Sequence, residues 1–354
     1  MNNILEYIPY TILLVLILFI LESKRLNKKH KTIFIFLLVS LFSGLRYNVG
    51  KDYMSYYIAV MNPHLTADRF EFIFRRLCYM TAGMPWLFML ITAFFTNYLI
   101  FKNILKHSVK YKLSIMAYIC LPFFFLDFMC VVRFATAVAL MMFAFLKFNN
   151  DRKYFHFLLI WLVAINCHIT AIISLLFLVP FNKIPNKYHL IMLISSFFMG
   201  QTVMQYMGAS AFVERIDLYY ARYLINENAV EGQKMLILYM MLSALNFYAL
   251  IKWKDAGERI RRMLAVINIG FCLLFVFSYN IGFAGRVSRY FLVLMIIAFP
   301  YYSIPVLLNN KQSAKVFLVA LISVFYLELF IAQYSFYSTK SKSYMPYQTI
   351  LLKD

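Results

Sequence analysis

Residues 154–181 read YFHFLLIWLVAINCHITAIISLLFLVPF, and this stretch decides the topology of the chain. As one helix it would be ~42 Å long, whereas the hydrocarbon core of a bilayer is ~30 Å thick. Two short passes that meet near Asn166, Cys167 and His168 are the alternative. A single pass would place the strongly basic loop 252–262 outside the cytoplasm, whereas two passes place it inside. The sequence therefore favours a short hairpin with His168 at a recessed extracytoplasmic apex.

The composition predicts an all-α polytopic membrane protein. Of the residues, 63% are hydrophobic and 14% are charged, and the mean hydropathy is +0.72. Continuous apolar runs of ~20 residues are long enough to cross a bilayer as helices, whereas a β-barrel would show alternation. We expect about 11–12 transmembrane helices in a single domain, 1–354, without a separate soluble domain. The expected spans are 6–22, 32–46, 84–101, 113–129, 131–148, 154–167, 168–181, 188–206, 234–252, 263–282, 289–308 and 315–333.

Basic residues predict the orientation of these spans. Short clusters of Lys and Arg occupy alternate loops, which the positive-inside rule places in the cytoplasm. The N-terminus then lies outside, as do loops 46–83 and 207–233, where amphipathic segments predict surface helices. We expect a multi-pass membrane protein. The clusters are Lys24, Arg25, Lys28, Lys29 and Lys31; Lys102, Lys106, Lys110 and Lys112; Arg152 and Lys153; Lys252, Lys254, Arg259, Arg261 and Arg262; and Lys311 and Lys315.

The sequence lacks the motifs of several enzyme classes. It contains no phosphate-binding glycine loop, nucleotide-binding glycine fingerprint, nucleophile elbow or cluster of metal ligands, so no metal or cofactor is predicted. The five cysteines are scattered among apolar residues and are interpreted as small apolar side chains. The net charge of +20 is accounted for by the cytoplasmic loops and a few other arginines, so nucleic acid is not a predicted partner.

Four arginines stand apart from the basic loops, at the opposite ends of the predicted spans: Arg46, Arg133, Arg286 and Arg289. A charge at a membrane boundary is costly and often marks a cavity or a ligand site. The planar guanidinium group binds phosphate oxygens through paired hydrogen bonds, which points to an anionic ligand. Snorkelling anchors and internal ion pairs are the alternatives. The pairs that spacing suggests are Arg46–Asp52, Arg133–Asp127 and Glu71–Arg75.

Two further side chains are candidate general bases. His168 lies among apolar residues, and a reference pKa of ~6.5 suits proton transfer near neutrality. A buried structural histidine is the alternative interpretation. Asp52 could accept a proton or orient Arg46. Tyr53 and Tyr56 could form an aromatic floor under sugar rings, or belong to an interfacial aromatic belt.

Taken together, these motifs resemble the EpsG family of bacterial integral-membrane proteins, relatives of the Wzy-type O-antigen and capsule polymerases. The resemblance covers almost the full length of the chain. Where the family often has Arg-Gln before the fifth span, this chain has Arg133-Phe134. The matching residues are Arg46, Gly50, Lys51, Asp52, Tyr53, Tyr56, Glu71, Arg133, Ala135, Ala137, His168, Thr170, Ala171, Arg289, Tyr290, Pro346 and Tyr347.

The resemblance implies a polymerase of undecaprenyl-diphosphate-linked oligosaccharides in the bacterial cytoplasmic (inner) membrane, with its active site facing the periplasm or the cell exterior. The growing glycan would leave its lipid diphosphate and join the non-reducing end of a new lipid-linked repeat, without a metal or a nucleotide sugar. His168 or Asp52 would be the catalytic base. The diphosphate would be held by Arg133, Arg286 and Arg289, assisted by Arg46, and the sugar would contact Tyr53, Tyr56, Tyr290 and Tyr347.

Three other functions stay open at this point. A flippase or exporter of lipid-linked oligosaccharide should carry polar groups through its spans, and the sequence shows few. A polysaccharide O-acyltransferase usually needs a histidine near a cytoplasmic acyl-donor site, where His30, His107 and His156 have no evident partner. A scaffold of a synthase complex is the third. Besides the lipid-linked oligosaccharide and the bilayer, a chain-length regulator and a flippase are candidate partners.

Overall fold

The computed structural model describes residues 4–208, 236–255, 257–276, 281–307, 311–339 and 344–352. Helices make up nearly all of this part of the chain. The α-helices are α1 Ile8–Glu22, α2 Lys28–Gly44, α3 Tyr53–Met61, α4 Pro63–Thr66, α5 Phe72–Met80, α6 Pro85–His107, α7 Tyr111–Cys120, α8 Phe125–Cys130, α9 Val132–Asp151, α10 Tyr154–Ile165, α11 Asn186–Gly208, α12 Leu236–Lys252, α13 Glu258–Val276, α14 Ile281–Leu292, α15 Met295–Leu307 and α16 Lys311–Thr339. The 3-10 helices are Ile4–Tyr7, Ala67–Arg69, Ile169–Leu178, Phe181–Lys183 and Ile350–Leu352.

The predicted hairpin is present. Helix α10 has 12 residues and the 3-10 helix Ile169–Leu178 has 10, and the chain reverses between them. The Trp161 indole Nε1 donates to the Ala171 carbonyl at 3.2 Å and ties the two arms together. At 1.5 Å per residue α10 is ~18 Å long, too short to cross a hydrocarbon core of ~30 Å. His168 therefore lies at the apex of a short hairpin, while its recessed position in the membrane stays a prediction.

Contacts between loops confirm that the chain passes twice through this region. The Arg152 guanidinium lies 2.6 Å from a Glu258 carboxylate oxygen, and the Asn149 amide donates to the Arg259 carbonyl at 2.9 Å. The loops 149–153 and 252–262 therefore lie at the same end of the helix bundle. We call this end the Arg152 end and the opposite end, where α9 begins, the Arg133 end.

Thiol cross-linking tests this arrangement. In a variant with Arg152→Cys and Glu258→Cys, we expect a short bismaleimide to join the two positions in intact membranes, because their native side chains are in contact. The native cysteines are all buried and should not interfere. A variant with Arg152→Cys and Asp68→Cys, whose positions lie at opposite ends, is the matched control. Equal yields in the two variants would rule out the two-pass topology.

Long apolar helices confirm the predicted class, an all-α polytopic membrane protein. Four described helices are long and apolar enough to cross a membrane, namely Ile4–Glu22, Pro85–His107, Val132–Asp151 and Lys315–Tyr337. Shorter apolar helices, including Tyr154–Ile165, accompany them. Other predicted spans also contain long helices, including Asn186–Gly208 with 23 residues and Glu258–Val276 with 19. Most of the predicted loop 207–233 lies outside the described residues.

Two predicted spans are interrupted. In the span 113–129 the helix stops at Cys120, and Leu121 is extended with ψ 138°. Pro122 explains this break, because proline disfavours helical geometry in the residue before it. In the span 289–308, the backbone amides of Leu294 and Ile296 donate to carbonyls three residues earlier. The chain therefore forms a tight turn of 3-10 type between α14 and α15. No proline or glycine at 293–294 accounts for this second turn.

Helix α9 is the most enclosed of the four long apolar helices. Within its most apolar window 83% of the residues are buried by the protein, against 28% for the N-terminal span. Its small residues Ala135, Ala137 and Ala139 are at most 1% exposed, which permits close approach of neighbouring helices. Arg133, in the first turn of the same helix, has a side chain that is 18% exposed.

Residues 344–352 form a strap across the Arg133 end. The Tyr47 amide donates to the Gln348 carbonyl at 2.8 Å, and the Ile350 amide donates to the Leu45 carbonyl at 2.9 Å. An isolated antiparallel bridge joins Arg46 to Thr349. The strap therefore covers the turn that comes after α2 and is a fixed part of the fold.

Candidate functional site

Arg133 and Glu71 form the first ion pair at the Arg133 end. The Arg133 Nη1 donates to Glu71 Oε2, and the guanidinium lies over the Phe70 ring, 4.4 Å from its centroid. The other carboxylate oxygen, Glu71 Oε1, accepts from the Ile169 amide at 3.1 Å. Glu71 immediately precedes α5 and thereby connects that helix to α9 and to the hairpin apex. The spacing-based pair Glu71–Arg75 is wrong, since Arg75 contacts Asp68 at 3.4 Å.

Arg289 and Asp127 form the second ion pair. The Arg289 Nη1 donates to Asp127 Oδ2, and the two side chains are 15% and 22% exposed. Asp127 lies on the short helix α8, which exists because the apolar segment before it is interrupted. The expected pair Asp127–Arg133 is wrong, because each arginine has taken a different carboxylate.

Asp52 lies between arginines of two different helices. Its charged neighbours include Arg286 of α14 and Arg133 of α9. Arg286 is also among the charged neighbours of Asp127 and of His168. Burial raises the pKa of the Asp52 carboxyl, and the positive charges of Arg286 and Arg133 act in the opposite direction. The structure therefore brings Asp52 together with two of the four predicted arginines, Arg133 and Arg286.

Both ion-paired arginines keep unused donors. The Nε atoms of Arg133 and Arg289 are buried and have no partner among the described residues. Each guanidinium carries five N–H groups in a planar fork, of which the carboxylate takes only part. A buried donor without an acceptor is unfavourable, so an additional acceptor at this place would be bound favourably. The two pairs are therefore suited to hold a further anion.

His168 belongs to a hydrogen-bonded chain that starts at Tyr290. The Tyr290 hydroxyl lies 3.1 Å from Thr170 Oγ1, which lies 2.7 Å from His168 Nδ1. The Thr170 amide also donates to Nδ1 at 3.4 Å. A backbone N–H can only donate, so Nδ1 is the acceptor and we assign the proton of the neutral ring to Nε2. In this state His168 offers an N–H donor to a ligand.

Phe134 packs against the rings of both His168 and Tyr290. Its ring centroid is 5.6 Å from that of His168 and 5.3 Å from that of Tyr290, in edge-on arrangements of 78° and 80°. The position after Arg133 thus contributes packing in this protein, in the place where a glutamine would offer hydrogen bonds. The sequence analysis noted Phe134 only because the family often has glutamine at this position, and it did not predict that Phe134 packs in the site.

Arg46 has a different environment from the other three arginines. It is 3% exposed and donates to the carbonyls of Ser43, Val49 and Met129. The suggested ion pair with Asp52 is not formed; the Arg46 guanidinium instead binds backbone oxygens of Ser43 and Val49 around the turn after α2 and of Met129 in α8. This bonding favours a structural role, and contact with diphosphate stays a prediction for Arg46.

The predicted sugar-binding tyrosines are mostly covered. The rings of Tyr53, Tyr56 and Tyr290 are at most 2% exposed, so none presents an open face for stacking. Tyr347 stacks on Phe42 at 4.2 Å and donates to the Phe42 carbonyl. Tyr56 is nevertheless a near neighbour of the Arg133 guanidinium. Direct contact of these tyrosines with sugar stays a prediction.

Gly50 allows the loop that carries Asp52 to approach the core. Its φ is +107°, and a Cβ at this position would lie 3.0 Å from the Cys130 Cα atom. Both the backbone conformation and the close approach therefore require glycine.

The substitution Gly50→Ala is expected to destabilise the protein by about 1–3 kcal/mol and to displace Asp52. Gly83→Ala is the matched control, because Gly83 also has positive φ, +76°, but no atom lies within 4 Å of its added Cβ. Thermal unfolding in detergent and polymer yield measure the two effects. If Gly50→Ala behaves like Gly83→Ala in both, the approach to Cys130 is unimportant.

Among the described residues, no three His, Cys, Asp or Glu side chains are grouped as ligands of a metal ion. The positive charge of this site is supplied by guanidinium groups. We call the cluster of Arg133, Arg286, Arg289, Asp52 and His168, with the partners Glu71 and Asp127, the guanidinium cluster.

The model of the EpsG family matches residues 31–349. The chain belongs to the EpsG family. EpsG proteins are Wzy-like polymerases, so this membrane protein is a polysaccharide polymerase of Wzy type. No curated protein and no solved structure matches the chain significantly. The EpsG match spans the guanidinium cluster and most of the strap, so both belong to the region by which the family is defined.

Proposed function

We propose that this EpsG protein transfers a growing glycan from its polyprenyl diphosphate to a hydroxyl at the non-reducing end of a new lipid-linked repeat. The observation that carries the proposal is the guanidinium cluster. Arginines from α9 and α14 lie beside one carboxylate, Asp52, and one imidazole, His168, at a single end of the bundle. The positive-inside rule places this end outside the cytoplasm.

The leaving group explains the need for several arginines. When the anomeric carbon–oxygen bond breaks, both electrons stay with the diphosphate, whose negative charge grows. Preorganised donors that face this developing charge lower the barrier, typically more than any other single contribution. The Nε atoms of Arg133 and Arg289, which have no partner among the described residues, and the neighbouring charge of Arg286 are suited to this task. The carboxylates of Glu71 and Asp127 hold the guanidinium groups in place before the substrate binds.

The acceptor hydroxyl must lose a proton as its oxygen bonds to the anomeric carbon. Asp52 and His168 are the two candidates, and the structure supports different roles for them. Asp52 is an acceptor when ionised, and burial raises the pKa of its carboxyl, which makes it a stronger base than an exposed aspartate. His168 Nε2 carries a proton in the assigned tautomer and can donate to a diphosphate oxygen. We therefore assign the base to Asp52 and a hydrogen-bond donor to His168.

Reconstitution tests the proposed reaction. The purified protein, in liposomes that contain one defined lipid-linked repeat, is expected to produce a ladder of glycans joined to polyprenyl diphosphate, with free polyprenyl diphosphate released in proportion to the bonds formed. A flippase would move the repeat across the bilayer without elongating it. Movement without a ladder would therefore exclude the proposed polymerase reaction in favour of transport.

A further inference from the structure

An apolar groove opens beside the guanidinium cluster. It lies between α5, α6, α9 and α10 and has a volume of about 380 Å³. Its walls include large side chains that are partly open to the surroundings, with exposures of 41% for Ile91, 45% for Phe95 and 40% for Val163. The groove is therefore a channel along the surface of the bundle, closed on the protein side and open on the other.

The floor of the groove offers no hydrogen bonds to a ligand. The hydroxyls of Thr92 and Thr136 donate to the carbonyls of Phe88 and Val132 in their own helices. Leu140 and Cys167 complete the floor and are 6% and 2% exposed. With the hydroxyls satisfied, the floor presents methyl groups and other apolar atoms, and these favour a hydrocarbon ligand.

The groove is continuous with the guanidinium cluster. Along α9, the residues Arg133, Thr136 and Leu140 succeed one another at spacings of three and four, so they lie on one helix face. From the first to the last the helix rises ~10 Å. On α10 and the turn after it, Cys167 of the groove adjoins His168 of the cluster. A lipid whose anionic head is held at Arg133 would thus place its hydrocarbon chain in the groove.

A second arginine lies at this groove. Arg76 belongs to its lining, and the Arg76 guanidinium lies over the Phe72 ring at 5.4 Å from the centroid. Phe72 is the next residue after Glu71, the carboxylate that holds Arg133. Positive charge and hydrocarbon surface therefore adjoin, which is the pattern complementary to an amphiphile with an anionic head and an apolar chain.

We propose that this groove binds the first isoprene units of the polyprenyl chain of the lipid diphosphate. The inference rests on the proposed function, because it takes the diphosphate at the guanidinium cluster as its starting point. It adds the direction in which the lipid leaves the cluster, along α9 and α10 toward the middle of the membrane. An ordinary phospholipid is the competing occupant, and it would use the same apolar surface without requiring the arginines.

Photolabelling tests the location of the chain. Undecaprenyl diphosphate that carries a diazirine in its second isoprene unit is added to the intact protein in liposomes and irradiated, and labelled peptides are found by mass spectrometry. We expect labels on α6 and α10, around Ile91, Phe95 and Val163. Excess unlabelled undecaprenyl diphosphate should remove them, whereas excess phosphatidylglycerol should not. Labels confined to other helices, or displaced equally well by phosphatidylglycerol, would overturn the proposal.

A matched pair of variants on α10 provides the second measurement. Val163→Trp fills the groove, whereas Leu162→Trp places the same ring on a neighbouring residue that is 52% exposed and outside the groove. Only Val163→Trp is expected to reduce labelling and to raise the KM for the lipid-linked donor about tenfold, the size of effect seen for the loss of one or two methylene contacts. Equal behaviour of the two variants would contradict the groove.

The two proposals can fail separately. If the wild-type protein is labelled in the groove but produces no glycan ladder, the lipid site stands and the polymerase reaction is wrong. If a ladder forms but the label lies elsewhere, the reaction stands and the groove is wrong.

Discussion

Replacing Arg133 or Arg289 by alanine is expected to lower the rate of polymer formation by about 10²–10³-fold, the loss typical when one preorganised donor to a developing negative charge is removed. Lysine at either position should recover little, because an ammonium group cannot reproduce the planar fork that serves a carboxylate and a phosphate together. The rate is measured with a purified lipid-linked repeat after expression and membrane insertion have been verified. Activity near wild type in both alanine variants would end the diphosphate assignment.

Arg75→Ala is the control for this experiment. Arg75 is also an ion-paired arginine near the Arg133 end, but the pair with Asp68 is 39% and 72% exposed and contributes little to stability. We expect Arg75→Ala to polymerise normally. Because Arg133→Ala leaves the Glu71 carboxylate without its partner, a second variant is informative. Arg133→Met combined with Glu71→Gln removes both charges and should fold, yet it should remain inactive.

The second large effect is expected for Asp52→Asn, which keeps the shape of the side chain but cannot take a proton. Removal of a general base typically costs about 10²–10⁴-fold in rate. In the wild-type protein the base must be ionised, and burial raises the pKa of Asp52 above its usual range. The rate should therefore fall as the pH decreases, with a midpoint above the ~3.9 of an exposed aspartate. The profile of kcat/KM against pH measures this midpoint.

Two substitutions of His168 distinguish a role as hydrogen-bond donor from a role as general base. His168→Gln retains an N–H group that can reach a diphosphate oxygen, whereas His168→Leu does not. If His168 donates a hydrogen bond, glutamine should keep much of the activity and leucine should lose most of it. Equal inactivity of the two variants, together with an active Asp52→Asn, would instead make His168 the base.

The hairpin and the common location of the arginines could be predicted because they depend on the local composition of the sequence, which can be read without knowing which segments contact each other. Helix length, apolarity and the distribution of lysine and arginine were enough to place Arg133, His168 and Arg289 at one end of the bundle. The partners of these side chains could not be found in the same way. Glu71 pairs with Arg133, 62 positions away, while the spacing rule for helices favoured its near neighbour Arg75.

The burial of side chains explains the other differences between the predicted and the observed site. Tyr53, Tyr56 and Tyr290 were expected to present ring faces to a sugar, but a sequence does not show which side of an aromatic residue the neighbouring helices cover. The same holds for Arg46, whose guanidinium is occupied by carbonyls of a turn and of a distant segment. Pro122 is the one local signal that was available and not used, and it accounts for the interruption that exposes Asp127.

The strap has a consequence for how the protein matures. Thr349 donates to the carbonyl of Leu45, a residue 304 positions earlier. The hydrogen bonds between the turn around Arg46 and the strap thus form only after residues 344–352 have been translated. A nascent chain halted before residue 344 would still contain the four long apolar helices that the structure describes. We therefore expect such a chain to insert into the bilayer without the strap, so an assay of insertion alone would not report whether the turn around Arg46 has closed.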